Sequence, residues 1–285
     1  MPNFYVKKSN GEKELFDPTK LEASLKKIGT AENIIQEIIA EVAQSSHDGI
    51  TTQEIYRKAY AILHTKHHAA AIRYSLKKAV AELGPTGFPF EKFVAEIFKA
   101  NNYTTEVDQI VQGKCVQHEV DVIAWKPEEL IMVEAKFHTD FNLKSDLKIV
   151  LYVKARYDDI FGNKYMYGGE ERKLTEGWVV TNTKFSTTAI QYMSCQPSMK
   201  AVGWNYPYNN NLHDMIEKHA LIPLTALTTI DASEKNQLLA QGIVLSKSLL
   251  NKKILQDIHF DAAKISAIQK EVNDVCADCM NKFKE

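Results

Sequence analysis

The chain lacks any apolar run long enough to cross a membrane, and its first residues are polar rather than those of a signal peptide. These absences set the expectation of a cytoplasmic protein with no membrane partner. Cysteine is scarce. Cys115, Cys195, Cys276 and Cys279 are too few and too scattered for a disulfide framework. Cys276 and Cys279 form a CxxC without an obvious second ligand pair, so they read as two thiols on a helix rather than a zinc site. No charge excess exists either. A formal net charge of −1 excludes indiscriminate coating of nucleic acid but permits a local basic face. No GxxxxGKS/T loop occurs, so nothing supports nucleotide hydrolysis on such a loop. What is there is a globular composition, 45% hydrophobic and 25% charged, in 285 residues with room for two or three domains.

The informative stretch runs from His118 to His138. Val120, Val122 and Ala124 alternate with Asp121, Ile123 and Trp125, which predicts a strand. Lys126-Pro127-Glu128-Glu129 breaks the run, because Pro127 cannot donate to a ladder. Leu130 to Phe137 resumes it, apolar on both faces until Glu134 and Lys136, and so belongs deep in a sheet. Side chains alternate along a strand, so Glu134 and Lys136 share a face, and Asp121 meets them from the neighbouring strand. Two carboxylates beside an ammonium suit Mg²⁺, which takes few protein carboxylates and leaves its remaining shell to water and phosphate. An isolated ExK is common and usually marks a solvated strand face; the flanking Leu130 to Val133 and Asp121 distinguish this one.

Asp121 followed by Glu134-Ala135-Lys136 resembles the PD-(D/E)xK nuclease signature, with Val120 where a loosely defined proline often stands. The surroundings resemble Mrr-type restriction endonucleases. Gly87 to Phe98 is similar to that family's first helix, with its acid at Glu91, and Gly177 to Asn182 with Phe185, Ser186 and Ala189 is similar to its later strand and helix. The resemblance covers roughly 87–218. It implies an α/β restriction-endonuclease-like core with a mixed sheet. It implies Mg²⁺ held by Asp121 and Glu134, with the Ala135 carbonyl as a further oxygen. Lys136 and Glu91 would be the other catalytic residues, and DNA the partner.

Residues 1–84 read as a separate unit. Phe4 to Lys8 and Glu14 to Phe16 make a short hairpin about the turn Ser9-Asn10-Gly11. Asp17 caps a helix that opens on Pro18, and Thr51 with Glu54 forms a capping box. A last helix is predicted over His67 to Leu83. Lys8 and Lys20 are point charges for phosphate, and Gly11 lets backbone N–H groups approach an anion. Val6, Lys8, Gly11, Glu14, Phe16-Asp17, Lys20-Leu21 and Ile50 to Ile55 resemble the ATP-cone, a mostly helical nucleotide-sensing domain with a β-hairpin. Ser9 stands where that family usually has arginine. The resemblance implies ATP or dATP as an effector, contacted by Val6, Lys8, Gly11, Glu14, Asp17 and Lys20.

Gly84 to Gly87 is the linker. Lys114 could touch phosphate, and His118 and Glu119 could lie just outside the site; each also reads as a surface residue. Ser145 to Phe161 predicts a helix whose Tyr152, Lys154, Arg156 and Tyr157 form a DNA-facing, subunit-facing or merely solvated face. Lys164 to Leu174 reads as a Gly- and Tyr-rich loop. From 221 to 285 a small helical module follows, whose Leu238-Leu239-Ala240-Gln241-Gly242-Ile243 resembles a degenerate helix-hairpin-helix or belongs to a purely structural tail. The chain therefore reads as a Mg-dependent DNA endonuclease of restriction type regulated by adenine nucleotide, working as a homodimer or higher homo-oligomer. The other reading is a non-catalytic, nucleotide-responsive DNA-binding or assembly protein on a nuclease scaffold.

Overall fold

The computed structural model describes residues 4–8 and 11–282, with side chains through 277. Ser9 and Asn10 of the expected turn, and the Cys279 thiol, lie outside the described residues. The chain forms two compact units, the described part of 1–76 with 273–282, and 77–272. The last part of the expected C-terminal module thus groups with the first unit.

The first unit contains β1 (Tyr5–Lys7), β2 (Lys13–Leu15), α1 (Pro18–Lys27), α2 (Glu32–Ser45), β3 (Ile50–Thr51), α3 (Thr52–Lys66) and α4 (His68–Tyr74); α5 (Leu76–Ala81) follows. Asp17 accepts from Thr19 N–H at the start of α1, and Thr51 and Glu54 close the capping box of α3. The expected hairpin gains a third strand, because β3 pairs in parallel with β1. Val6, Leu21, Leu25, Ile35, Ile38, Ala59 and Leu63 share its core. The single helix expected over His67 to Leu83 is interrupted at Ser75. Its hydroxyl donates to Ile72 O at 2.9 Å, a local bond that competes with the helical ladder.

The second unit is built on α6 (Phe88–Ala100), β4 (Thr104–Gln112), β5 (Gln117–Lys126), β6 (Glu129–Lys136), β7 (Lys144–Ser145) and α7 (Leu147–Ile160). It continues with β8 (Lys164–Tyr167), β9 (Glu170–Lys173), β10 (Glu176–Thr181), β11 (Lys184–Phe185), α8 (Thr187–Ser194), β12 (Met199–Val202) and α9 (Leu212–Lys218). The main sheet has the order β12-β10-β6-β5-β4, antiparallel on the β4-β5-β6 side and parallel from β6 through β10 to β12. It is the mixed sheet expected of an α/β core. Ile123, Trp125, Leu130, Met132 and Val179 pack with Val150, Val153 and Tyr157 of α7 and with Ala189 and Met193 of α8. On β10 the alternate residue Trp178 meets Phe98 of α6 edge-on, at 5.2 Å between centroids, so helices cover both faces.

The loop expected over Lys164 to Leu174 is instead the β8-β9 hairpin. Gly168 and Gly169 both take positive φ, +64° and +78°, the conformation a two-residue hairpin turn requires. Arg172 ties the hairpin to the β5-β6 turn by donating to the carbonyls of Lys126 and Pro127 at 2.8 and 2.7 Å.

After α10 (Ala232–Ala240), Gly242 turns the chain at φ +79°. The chain then pairs its backbone with the segment around Pro223 before α11 (Lys252–Asp257) and α12 (Ala262–Lys282). The buried Glu271 carboxylate accepts from the N–H and hydroxyl groups of Thr228 and Thr229. Among the described residues no helix is long and apolar enough to cross a membrane.

Candidate active site

Three elements supply the acids. The β5-β6 register runs Val122↔Val133, Ile123↔Met132, and its next step sets Asp121 beside Glu134. The N–H of Ala135 donates to Asp121 Oδ2 at 2.7 Å, which fixes that carboxyl against the strand. Glu91 lies in the first turn of α6, whose Phe90, Phe93, Val94 and Ile97 are buried. Lys136 ends β6, next to Thr181 in the β6-β10 register. It makes no ion pair among the described residues.

The electrostatics record the crowding. Burial pushes the Asp121 carboxyl up to about 6, and the Glu134 charge adds to it against the Ala135 N–H and Arg156. Burial pushes Glu91 up to about 7, with further pressure from Asp121, Asp108, Glu119 and Glu134. Asp108 and Glu119 therefore belong to the electrostatic surroundings. Asp108 sits in β4 with a left-handed backbone, φ +56°, between the paired residues Val107↔Val122 and Gln109↔Val120. Nothing in the alternation Val107-Asp108-Gln109 announces that placement.

Arg156 corrects the reading of α7. Rather than facing DNA or solvent it is 8% exposed, and its Nη1 donates to Glu134 Oε2 at 2.5 Å. A signal was present, because Arg156 lies on the apolar stripe Val150, Val153, Tyr157, Ile160, where a cation requires a buried acid. His118 also has a local task. Its Nε2 meets Asp159 Oδ2 at 2.8 Å, and Asp159 accepts from the N–H groups of Cys115 and Val116, closing the β4-β5 turn.

Oxygen donors dominate the site. Among the described residues no group of three or more Asp, Glu, His or Cys side chains is arranged to hold a metal ion. The donor set that remains, two carboxylates side by side, suits a hard cation that keeps much of its shell as water. The protonation pressure on Asp121 is the strain that such a cation would relieve. Ala135 takes part in the structure through its N–H.

In the first unit, Lys8 and Lys20 converge on one oxygen. Both ammonium groups lie 2.9 Å from Glu14 Oε2. Val6 is buried and paired with Glu14 and Ile50, and Gly11, at φ +87°, closes the turn by donating to Lys8 O. The Asp17 carboxylate is taken up by the Thr19 N–H and hydroxyl, which hold its pKa below the ordinary value. Of the six expected nucleotide contacts, Lys8, Glu14 and Lys20 are brought together, while Val6, Gly11 and Asp17 shape the scaffold.

Comparison with known proteins follows the same division. Residues 4–80 match the ATP cone domain, 84–202 the restriction endonuclease family of Mrr type, and 223–276 the AF1548-like C-terminal domain. An uncharacterized protein of Archaeoglobus fulgidus is 31% identical over 184 residues, 64% of this chain and 99% of its own. The crystal structure of AF1548, a protein of unknown function, is 30% identical with a TM-score of 0.55, covering 67% of this chain and 99% of that one. The chain belongs to the AF1548-like family, and its residues 84–202 carry the restriction endonuclease domain. Here the PD-(D/E)xK core follows an N-terminal ATP-cone. MspJI restriction endonuclease bound to a 27-mer oligonucleotide is a distant neighbour, 13% identical with a TM-score of 0.33 over 75% of this chain and 44% of that one.

Proposed function

We propose that this protein is a Mg-dependent DNA endonuclease of restriction type that hydrolyses phosphodiester bonds, with ATP or dATP acting at the cone as an effector. The observation that carries the reading is the β5-β6 pairing that brings Asp121 to Glu134, two residues before Lys136, with the charges of Asp121 and Glu134 pressing on each other and on Glu91. Carboxylates are driven together at such a cost where a cation belongs between them. Asp121 and Glu134 would hold the ion, with the Ala135 carbonyl as the further oxygen that family resemblance implies. When bound, the ion supplies a Lewis acid for the phosphate and a more acidic water. Lys136, not engaged in an ion pair, orients the attacking water and faces the charge that grows on the phosphate. Glu91, held near 7, exchanges a proton with solvent close to neutral pH. Arg156 keeps Glu134 in one orientation.

One such constellation per chain cuts one strand, so cleavage of both strands requires a homodimer or a higher homo-oligomer. The test is cleavage of supercoiled plasmid, methylated and unmethylated, with Mg²⁺ and with or without ATP. Nicking or linearisation that EDTA abolishes is expected. An intact plasmid in every arm overturns the reading. The non-catalytic scaffold reading has one observation in its favour, the Arg156 guanidinium already neutralising Glu134. The same experiment decides between them.

A further inference from the structure

Beyond Lys136 the fold gathers cations that pair with no acid among the described residues. β7 and β11 pair in parallel with Lys144 directly opposite Lys184. Both lysines are exposed, while their neighbours Ser145 and Phe185 are buried, so the two ammonium groups leave the same face of the pair. Like charges in directly opposed positions destabilise a strand pair. Lys77 adds a third charge. It is half-buried, its Nζ stands 5.2 Å from the centre of the Phe141 ring, and the Lys184 charge, second to burial, lowers its pKa. None of the three makes an ion pair among the described residues. The two acids flanking Lys144 are committed to local bonds. Asp140 accepts from the Asn142 backbone and side-chain amides, and Asp146 accepts from Ile149 N–H at the start of α7.

The segments that carry Lys144 and Lys184 are also tied together. Asn182, 1% exposed, accepts from His138 N–H at 2.9 Å and donates to His138 O at 2.7 Å. His138 Nε2 lies 3.2 Å from Ser145 Oγ, and Ser186 N–H donates to Ser145 O at 3.0 Å. The segment leaving β6 after Lys136 is thereby clamped to the segment leaving β10 after Thr181. A fold that gathers three lysines and pairs none of them with the neighbouring acids leaves their counter-charge open to a ligand.

We propose that Lys77, Lys144 and Lys184 form a cradle for backbone phosphates of duplex DNA, next in the chain to the site that ends at Lys136. The proposal rests on the nuclease reading and names the surface that would hold its substrate. Phosphate contacts of this kind position a duplex without reading its sequence.

The test is binding of a fluorescein-labelled 20-base-pair duplex to the full chain in EDTA, followed by anisotropy across a salt titration. The Lys144→Ala/Lys184→Ala variant should bind more weakly, and its log–log salt slope should be shallower by about 1.8, roughly 0.9 for each phosphate no longer neutralised. Lys77→Gln should lower the slope by a further ~0.9, and Lys77→Arg should preserve it. Lys78→Ala/Lys164→Ala removes the same net charge from lysines paired with Glu82 and Glu171, and should leave the slope unchanged. An unchanged slope in Lys144→Ala/Lys184→Ala, or an equal decrease in the paired-lysine control, overturns the cradle while leaving the nuclease reading intact. Inorganic phosphate binding that Lys144→Ala/Lys184→Ala abolishes, with duplex affinity untouched, also overturns it in favour of a free-anion site. Failure of the wild-type chain to bind duplex overturns the cradle and the DNA reading together.

Discussion

The two units solve opposite problems with the same few groups. In the restriction-endonuclease-like unit, the charges of Asp121, Glu134 and Glu91 press on one another, and one buried arginine pairs with Glu134. In the cone, two lysines meet at one carboxylate, Glu14, and Glu12 also lies 3.7 Å from Lys8. The consequences differ because solvent differs. Burial raises Asp121 and Glu91 toward neutrality, so their charge is conditional on what else occupies the site. In the cone, water screens the lysines, and the hydrogen bonds hold Glu14 ionised and Lys8 protonated. The first arrangement calls for a cation. The second holds two screened charges at one carboxylate.

The largest expected effect lies at the acids. Asp121→Ala, Glu134→Ala and Lys136→Ala should each lower plasmid cleavage by roughly 10³-fold or more while circular dichroism stays unchanged, because the three act as a unit. Full cleavage by any two of them removes the site assignment.

Next comes the arginine. Arg156→Ala should cost about 3 kcal/mol, the lower end for a buried pair, since it strands the partly buried Glu134 charge. Adding Glu134→Gln should recover part of that loss. Urea titration by tryptophan fluorescence reads this unit alone, because Trp125, Trp178 and Trp204 all lie in it. A loss below ~1 kcal/mol, the order of magnitude for an exposed pair, would show that the pair is solvent-screened.

A smaller effect concerns pH. Asp121 and Glu91 have folded pKa values above their unfolded ones, so the folded unit binds more protons than the unfolded chain between about 4 and 7. The stability they contribute is present at low pH and is lost as pH rises through about 6 and 7. Without divalent ions, the unit's thermal midpoint should fall as pH rises from about 4 to 7, and Mg²⁺ should restore it mainly at the upper end. A midpoint that is flat with pH, or that Mg²⁺ raises equally at the acid end, contradicts the crowding.

In the cone, Lys8→Ala with Lys20→Ala should weaken ATP and dATP binding to the full chain roughly tenfold, and Glu14→Gln should leave it unchanged or tighten it a few-fold. Calorimetry with no heat for either nucleotide removes the cone site. Phosphate release that depends on these lysines would make the unit an ATPase instead.

The smallest and most informative effect would join the two units. Nucleotide should shift assembly state and cleavage rate together, and linkage requires the favoured state to bind nucleotide more tightly. Light scattering and cleavage would be followed across an ATP and dATP titration. If neither mass nor rate moves at saturation, the cone is a structural appendage.

Much of this was legible in one dimension. Alternation before Pro127 and a continuous apolar run after it determined the β5-β6 hairpin, and the period of two along any strand places Glu134 and Lys136 on one face whatever surrounds them. Asp17 and the Thr51–Glu54 pair determined two helix starts, because a cap acts within four residues. Gly168-Gly169 carried a hairpin signal that a loop reading passed over. What only the tertiary structure decided are the pairings across distance. Arg156 meets Glu134 22 residues away, Asn182 clamps His138 from 44 residues away, and Lys144 faces Lys184 because β7 and β11 happen to pair. A strand's own residues set which face each side chain takes, but its neighbours in the sheet are chosen by packing of the whole unit, and charge partners follow from that choice.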